Sequence, residues 1–271
     1  MSDQADQSAS GQSVSDQSVS DQSNTSEIWA VVPAAGSGTR LPSAYPKQYL
    51  QLGDSCILQR AIDTLLAVDA VKGVVVVLSA NDSLWHKLPA SSHPCVTTTV
   101  GGATRAESVT AGLNKVCSHA QDESAMVLVH DAARALTASS DIKRLIERVM
   151  VLPEQGGLLA NKVQDTLKRS AQSSNADGKT LHTIEATVSR DELWHAQTPQ
   201  MFRAKLLLDA LQNNRQSVLS GEITDEACAM EMSGYKPALV EALAPNFKIT
   251  HARDLDMALA IVTLLKTGKQ E

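Results

Sequence analysis

Ile28-Trp29-Ala30-Val31-Val32-Pro33, followed at once by Ala34-Ala35-Gly36-Ser37-Gly38-Thr39-Arg40, is the stretch on which the fold turns. The apolar run reads as a buried strand, and the Gly-rich string as the turn leaving it. Small residues there let the backbone approach a ligand, and successive N–H groups can bind phosphate oxygens. Arg40, and Lys47 in Pro46-Lys47-Gln48, set two cations beside that cradle. A dinucleotide fingerprint wants a third glycine where Leu41 stands, and a P-loop wants Gly-Lys-Ser/Thr contiguous, whereas Lys47 lies well beyond Gly38. A plain Gly-rich turn needs neither cation, so the whole string points to phosphoryl chemistry.

Outward from this turn, helical and strand patterns alternate. Cys56–Val68 has helical periodicity, Gly73–Ser79 and Val96–Val100 read as strands, and Arg105–Cys117 reads as a helix. Met126–His130 is a further strand, Asp141–Met150 a helix with Ser139 or Ser140 as N-cap, and Gly157–Ala160 another strand. Helices return at Ala204–Gln212 and Thr224–Ser233, then strands at Ala238–Ala242 and Phe247–Thr250, and a last helix at Asp254–Lys266. Alternation of this kind implies βαβ units and a mostly parallel sheet. Hydrophobic residues make up 43% but aromatics only 3%, which suits a parallel sheet flanked by helices. The expected fold is a Rossmann-like α/β three-layer sandwich, one domain over residues 27–271. The polar, turn-rich stretch from Asp165 to Val188 interrupts it and reads as a protruding β-arm, about residues 163–190, with its tip at Asn175–Gly178.

Residues 1–26 are low-complexity and lack the apolar mass to offset ordering entropy, so a disordered leader is expected. Asp3, Asp6, Asp16 and Asp21 lie there without any Lys or Arg; of the formal net charge of −6 they carry four, leaving about −2 for the rest. A nearly neutral body argues against general nucleic-acid binding, though not against a local cationic pocket. Cys56, Cys95, Cys117 and Cys228 form no CxxC pair and read as free thiols of a reducing cytoplasm. Neither a signal peptide nor a membrane span is expected.

The motifs together resemble the 2-C-methyl-D-erythritol 4-phosphate cytidylyltransferases of the non-mevalonate isoprenoid pathway. Beyond the first string, the likeness runs through Gly101-Gly102-Ala103-Thr104-Arg105, Val129-His130-Asp131-Ala132-Ala133-Arg134, Gln164-Asp165-Thr166 and Ser189-Arg190. It continues through Leu193-Trp194-His195-Ala196-Gln197-Thr198-Pro199-Gln200, Ile223-Thr224-Asp225-Glu226-Ala227 and Asn246-Phe247-Lys248-Ile249-Thr250. The resemblance implies that Ala34, Ala35, Gly36 and Gly38 approach CTP through the backbone. It puts Gly102, Arg105 and Ser108 near the cytosine, and Arg40 and Lys47 at the transition state on the α-phosphate. Asp131 would bind Mg²⁺ or the ribose and orient the acceptor. Arg134 would serve the acceptor side, Arg190 and Lys248 would position the acceptor's phosphate, and Thr166, Thr198 and Thr224 would line its pocket. The arm would form a homodimer and carry Arg190 to the neighbouring subunit. Ala135 departs from the family pattern, where a proline is common, without removing a polar group.

The chemistry makes these roles sensible. The acceptor phosphate oxygen is already a nucleophile, so alignment and charge neutralisation suffice without a strong base. His130 and His195 are therefore read as structural, Trp194 as a packing anchor, and Asp225 either as a helix cap or as a metal ligand. Two other readings stand beside this one. A ribitol 5-phosphate cytidylyltransferase shares the motifs, but Trp194-His195-Ala196 and Thr224-Asp225-Glu226-Ala227 favour the erythritol enzyme. A non-catalytic nucleotide-binding regulator would have little use for Arg40, Lys47 and Asp131 together.

Overall fold

The computed structural model describes residues 26–36, 45–174 and 180–267. The chain opens with β1 (Ile28–Pro33), a small hairpin of β2 (Gln51–Leu52) and β3 (Ser55–Cys56), α1 (Ile57–Leu66), β4 (Val71–Leu78) and β5 (Val96–Val100). Next come α2 (Arg105–His119), β6 (Met126–Val129), α3 (Ser139–Val151) and β7 (Gly157–Lys162). The arm strands β8 (Leu167–Ser174) and β9 (Thr180–Val188) precede β10 (Trp194–Arg203), α4 (Ala204–Asn213), α5 (Arg215–Ser220), α6 (Glu226–Met232), β11 (Ala238–Glu241) and α7 (Ala252–Thr267).

One seven-stranded sheet, ordered β11-β7-β10-β6-β1-β4-β5, organises these elements. β1 is parallel to β4 and β6, β4 to β5, and β11 to β7. β10 breaks the rule, running antiparallel between β6 and β7. Strand alternation sorts the core residues onto two faces. Ala30, Val32, Val74, Val76 and Leu128 meet Leu58, Ile62 and Leu65 of α1 and Ile142 and Leu145 of α3. Val31, Val75, Val77, Val127 and Val129 meet Val109, Leu113 and Val116 of α2 and Leu207 and Leu211 of α4. Each fully buried Val, Leu or Ile among them contributes about 1.5–3 kcal/mol. The result is the expected three-layer α/β sandwich with a mostly parallel sheet.

The departures have local causes. Residues 247–250 run as irregular backbone, not a strand: the Ile249 N–H donates to the Ala133 carbonyl and the Thr250 N–H to Asp254 Oδ2, so neither joins a ladder. The cap of α3 is Ala138, with no side-chain hydrogen bond, and the helix already includes Ser139 and Ser140. Asp141 in that first turn instead accepts the Leu243 and Ala244 N–H groups at 3.1 and 3.0 Å. β8 and β9 pair only with each other, from Leu167↔Val188 to Ser174↔Thr180. The expected arm tip at 175–178, and the leader apart from Ser26, lie outside the described residues. Among the described residues no helix is long and apolar enough to cross a membrane.

Candidate active site

The parallel strands β1, β4, β5 and β6 end on one edge of the sheet, where α/β folds place their ligands. A cleft of about 350 Å³ opens there. Pro33 to Gly36 line it from the end of β1, Gly102 to Arg105 and Ser108 from the start of α2, and Asp131 to Ala133 from the turn after β6. Lys47, Gln48, Lys248 and Thr250 complete the wall.

Backbone closeness is built in. The Ala34 N–H extends the β4 ladder to the Val77 carbonyl at 2.8 Å, and buried Gln48 donates to the Ala34 carbonyl at 2.8 Å. A Cβ on Gly101 would stand 2.6 Å from Ser108 Oγ and 2.7 Å from Ala35 Cβ, so only glycine lets the end of β5 lie against both. A Cβ on Gly102 would meet Glu107 at 2.5 Å. Glu107 is occupied there: Thr104 and Glu107 form a reciprocal capping box at the start of α2. This helix start faces the cleft, and its dipole favours anions.

Charge is concentrated at Asp131. Its Oδ1 accepts from Arg105 Nε at 3.0 Å, its Oδ2 from Lys248 Nζ at 2.8 Å, and Arg134 Nε lies 3.8 Å from Oδ2. Burial works against the carboxylate, but the Arg105, Lys248 and Arg134 charges outweigh it and hold the group well below the usual carboxylate range. Arg105 also makes a two-point contact with buried Glu226, at 2.7 and 3.0 Å. Burial disfavours its charge too, but Glu226 and Asp131 together raise its pKa above the ordinary arginine value. Counting Lys47, the described residues bring four cations and two carboxylates to this region, a net +2.

A directed chain of hydrogen bonds sets the Asp131 backbone. The Asp131 N–H donates to Thr198 Oγ1 at 2.9 Å, and Thr198 Oγ1 lies 3.1 Å from His130 Nδ1. His130 Nε2 lies 3.3 Å from the Arg134 carbonyl, which can only accept, so the ring proton sits on Nε2 and Thr198 donates to Nδ1. Burial pushes the His130 pKa down to about 4 and keeps the ring neutral. Its place is structural, as read from the sequence.

Of the residues singled out from the sequence, Ala34, Ala35, Gly36, Lys47, Gly102, Arg105, Ser108, Asp131 and Lys248 line one cleft. Gly38 and Arg40 lie outside the described residues. Arg134 stands behind Asp131, donating to the Asn246 carbonyl. Thr198 is buried with its hydroxyl turned to Asp131 and His130, while Thr166, Thr224 and Arg190 are exposed and do not line this cleft. Arg190 donates to the Gln164 carbonyl at the base of the arm. Asp225 caps α6, accepting the Cys228 N–H at 2.9 Å, and takes Gln200 Nε2 at 2.9 Å. Glu226 has no role that its motif alone suggests; its partner Arg105 is 121 residues away, a pairing that only the sheet order reveals. Among the described residues no group of three or more His, Cys, Asp or Glu converges as a metal-binding cluster.

Comparison with known proteins gives a consistent picture. The family model described as IspD, 2-C-methyl-D-erythritol 4-phosphate cytidylyltransferase, matches residues 28–264. The 2-C-methyl-D-erythritol 4-phosphate cytidylyltransferase of Photobacterium profundum is 42% identical over 234 residues, spanning 86% of this chain and 95% of the relative. That of Escherichia coli O1:K1 is 44% identical over 245 residues, 90% and 97% of the two chains. A solved 4-diphosphocytidyl-2C-methyl-D-erythritol synthase superposes with a TM-score of 0.71 at 36% identity, covering 88% of this chain and 99% of the other. The Francisella tularensis 2-C-methyl-D-erythritol 4-phosphate cytidylyltransferase gives 0.69 at 31% identity, covering 86% and 98%.

Proposed function

The chain belongs to the 2-C-methyl-D-erythritol 4-phosphate cytidylyltransferase family, and we propose that the cleft at the strand ends is where it carries out that reaction. The enzyme is a nucleotidyltransferase of isoprenoid precursor synthesis that joins CTP to 2-C-methyl-D-erythritol 4-phosphate. A phosphate oxygen of the acceptor attacks the α-phosphorus of CTP. The new P–O bond forms as the bond to the β-phosphate breaks, and pyrophosphate leaves. The single observation carrying the assignment of the site is the convergence of the Ala34–Gly36 backbone, Lys47, Lys248 and Asp131 on one cleft.

In this reading the nucleotide lies along the Gly-rich turn and the start of α2, with the base near Gly102 and Ser108. Lys47, together with Arg40, stabilises charge developing at the α-phosphate. Lys248 holds the acceptor's phosphate, Asp131 aligns the acceptor, and Arg134 holds Asp131. No side chain need remove a proton from the nucleophile. Mg²⁺ is proposed as the cation that travels with the nucleotide. Asp131, the lone carboxylate lining the cleft among the described residues, fits an ion that takes one or two carboxylates and completes its shell with water and substrate phosphates. When bound, it would neutralise phosphate charge.

A homodimer is proposed through the arm. A two-stranded hairpin is marginal alone, and β9 exposes Leu181 and Ile184, which a second copy would cover. Arg190, which does not line the cleft of its own chain, then serves the neighbour's acceptor site, and Thr166 and Thr224 are proposed to line the acceptor pocket. A cytoplasmic setting is proposed from the free thiols. The test is pyrophosphate release from CTP with 2-C-methyl-D-erythritol 4-phosphate or ribitol 5-phosphate, with and without EDTA. Turnover that needs the erythritol acceptor and stops with EDTA is expected. Faster release with ribitol 5-phosphate overturns the acceptor assignment, and full activity in EDTA overturns the Mg²⁺ role.

A further inference from the structure

Behind the cleft lies a buried side chain that does not line it. Asn246 is 3% exposed and ties three segments together. Its Nδ2 donates to the Thr198 carbonyl at 2.9 Å, its Oδ1 accepts from Thr137 Oγ1 at 2.6 Å, and its own carbonyl accepts from Arg134 Nη1 at 2.5 Å. The amide can face only one way. A carbonyl accepts and never donates, so the nitrogen must meet Thr198 and the oxygen must meet Thr137. The Thr137 hydroxyl has a second acceptor in reach, the Arg134 carbonyl at 3.0 Å, but that oxygen already takes His130 Nε2–H, and the contact with Asn246 is shorter.

These contacts matter because of what their partners hold. The Thr198 hydroxyl fixes the Asp131 N–H, and the Arg134 side chain stands beside the Asp131 carboxylate. Two residues beyond Asn246, Lys248 reaches the same carboxylate at 2.8 Å, and the Ile249 N–H is tied to the Ala133 carbonyl at 2.9 Å. We propose that Asn246, oriented by Thr137, is a positioning residue for the acceptor half of the reaction: one amide holds Asp131 and Lys248 in mutual register. The proposal rests on the site reading above. Reacting groups tolerate little misplacement, since an error of about 1 Å costs on the order of 10²-fold in rate. The nucleotide cradle at Ala34–Gly36, Gly102 and Ser108 belongs to other segments, so the two substrates should respond differently.

The experiment is steady-state kinetics on the full chain, varying each substrate in turn, for Thr137→Val, Thr137→Ser, Asn246→Ala and Lys248→Ala, with Tm recorded for each. Thr137→Val should lower kcat/KM for the polyol phosphate about 10-fold, and Asn246→Ala about 100-fold, with KM for CTP within about twofold. Thr137→Ser keeps the hydroxyl and should restore most of the loss. Folded Thr137→Val and Asn246→Ala enzymes with acceptor kinetics unchanged would overturn the proposal. So would equal losses on both substrates that track the fall in Tm, which is what a purely structural role produces. If Asn246→Ala does not fold, the Thr137 pair decides alone. Lys248→Ala separates the two levels of inference. Unchanged acceptor kinetics in that variant overturns the site reading, whereas a damaged Lys248→Ala beside intact Thr137→Val and Asn246→Ala overturns only the positioning role.

Discussion

Replacing Asp131 by asparagine should move stability and anion binding in opposite directions. Both carboxylate oxygens are occupied, Oδ1 by Arg105 at 3.0 Å and Oδ2 by Lys248 at 2.8 Å, with Arg134 behind at 3.8 Å. An amide offers one acceptor and one donor, so whichever way it turns an NH₂ faces a cation. Breaking a fully buried pair costs about 3–5 kcal/mol, but Arg105 and Lys248 are 30% and 38% exposed, and water takes part of the load. An unpaired charged donor in this setting costs about 2–3 kcal/mol. At about 2–4 °C per kcal/mol for a domain of this size, Tm should fall by about 4–12 °C. The same change removes one negative charge from the cleft, so pyrophosphate should protect the variant against heat more than it protects the wild type. Turnover should fall about 100-fold, because the acceptor loses its alignment. Thermal denaturation with and without pyrophosphate, together with steady-state kinetics, gives all three readings. A Tm within about 1 °C of wild type and an unaltered pyrophosphate shift would refute the reasoning, because the carboxylate would then not be balancing these cations.

Lys47→Ala should lower kcat by about 10²–10³-fold while KM for CTP changes little, as expected for a donor acting on transition-state charge; a raised KM with unchanged kcat would reassign Lys47 to ground-state binding. Deleting residues 1–25 should leave kcat/KM and Tm at wild-type values, since that stretch is polar and carries none of the motif residues; a clear loss of either would show that it packs on the body. Co-expressing Lys47→Ala with Arg190→Ala should return about a quarter of wild-type activity, because half of randomly paired dimers are mixed and half of their sites are intact. Activity no higher than that of the separate mutants, in a preparation shown to contain mixed dimers, would place Arg190 in its own chain's site.

What the sequence discloses follows from how local each signal is. β1 and the turn after it are contiguous, so an apolar run and a cluster of small residues reveal both. Asp131 stands out because it follows closely on a four-residue buried strand, and α2 because its helical pattern begins just after Thr104. β10 escapes such a reading. Its core-facing Met201 and Phe202 are preceded by Gln197, Thr198, Pro199 and Gln200, and the register shift between Ala196 and Gln200 breaks the alternation that a strand is read by. Phe247–Thr250 errs the other way: its composition suits a strand, but its N–H groups go to a carbonyl and to a helix-capping carboxylate. Glu226 and Asn246 act through partners 121 and 109 residues away, and no spacing within a segment encodes such pairings.

The chemistry explains why the cleft carries carboxylates at all. The cations that the described residues crowd at one sheet edge would repel one another and destabilise the fold, so Asp131 and Glu226 hold three of them, Arg105, Arg134 and Lys248, in fixed pairs before any phosphate arrives. Both substrates are anions that must meet at one phosphorus, and the net positive charge of the described residues there, with the dipole of α2, offsets their repulsion. Adding positive charge by removing a carboxylate is not a simple gain. Pyrophosphate is densely charged, and a more positive cleft holds the product more tightly as well as the transition state. An interaction that strengthens product and transition state alike does not raise turnover. In the role proposed for it, Asp131 would do two things at once: align the acceptor, and keep the cleft weak enough as an anion trap for pyrophosphate to leave.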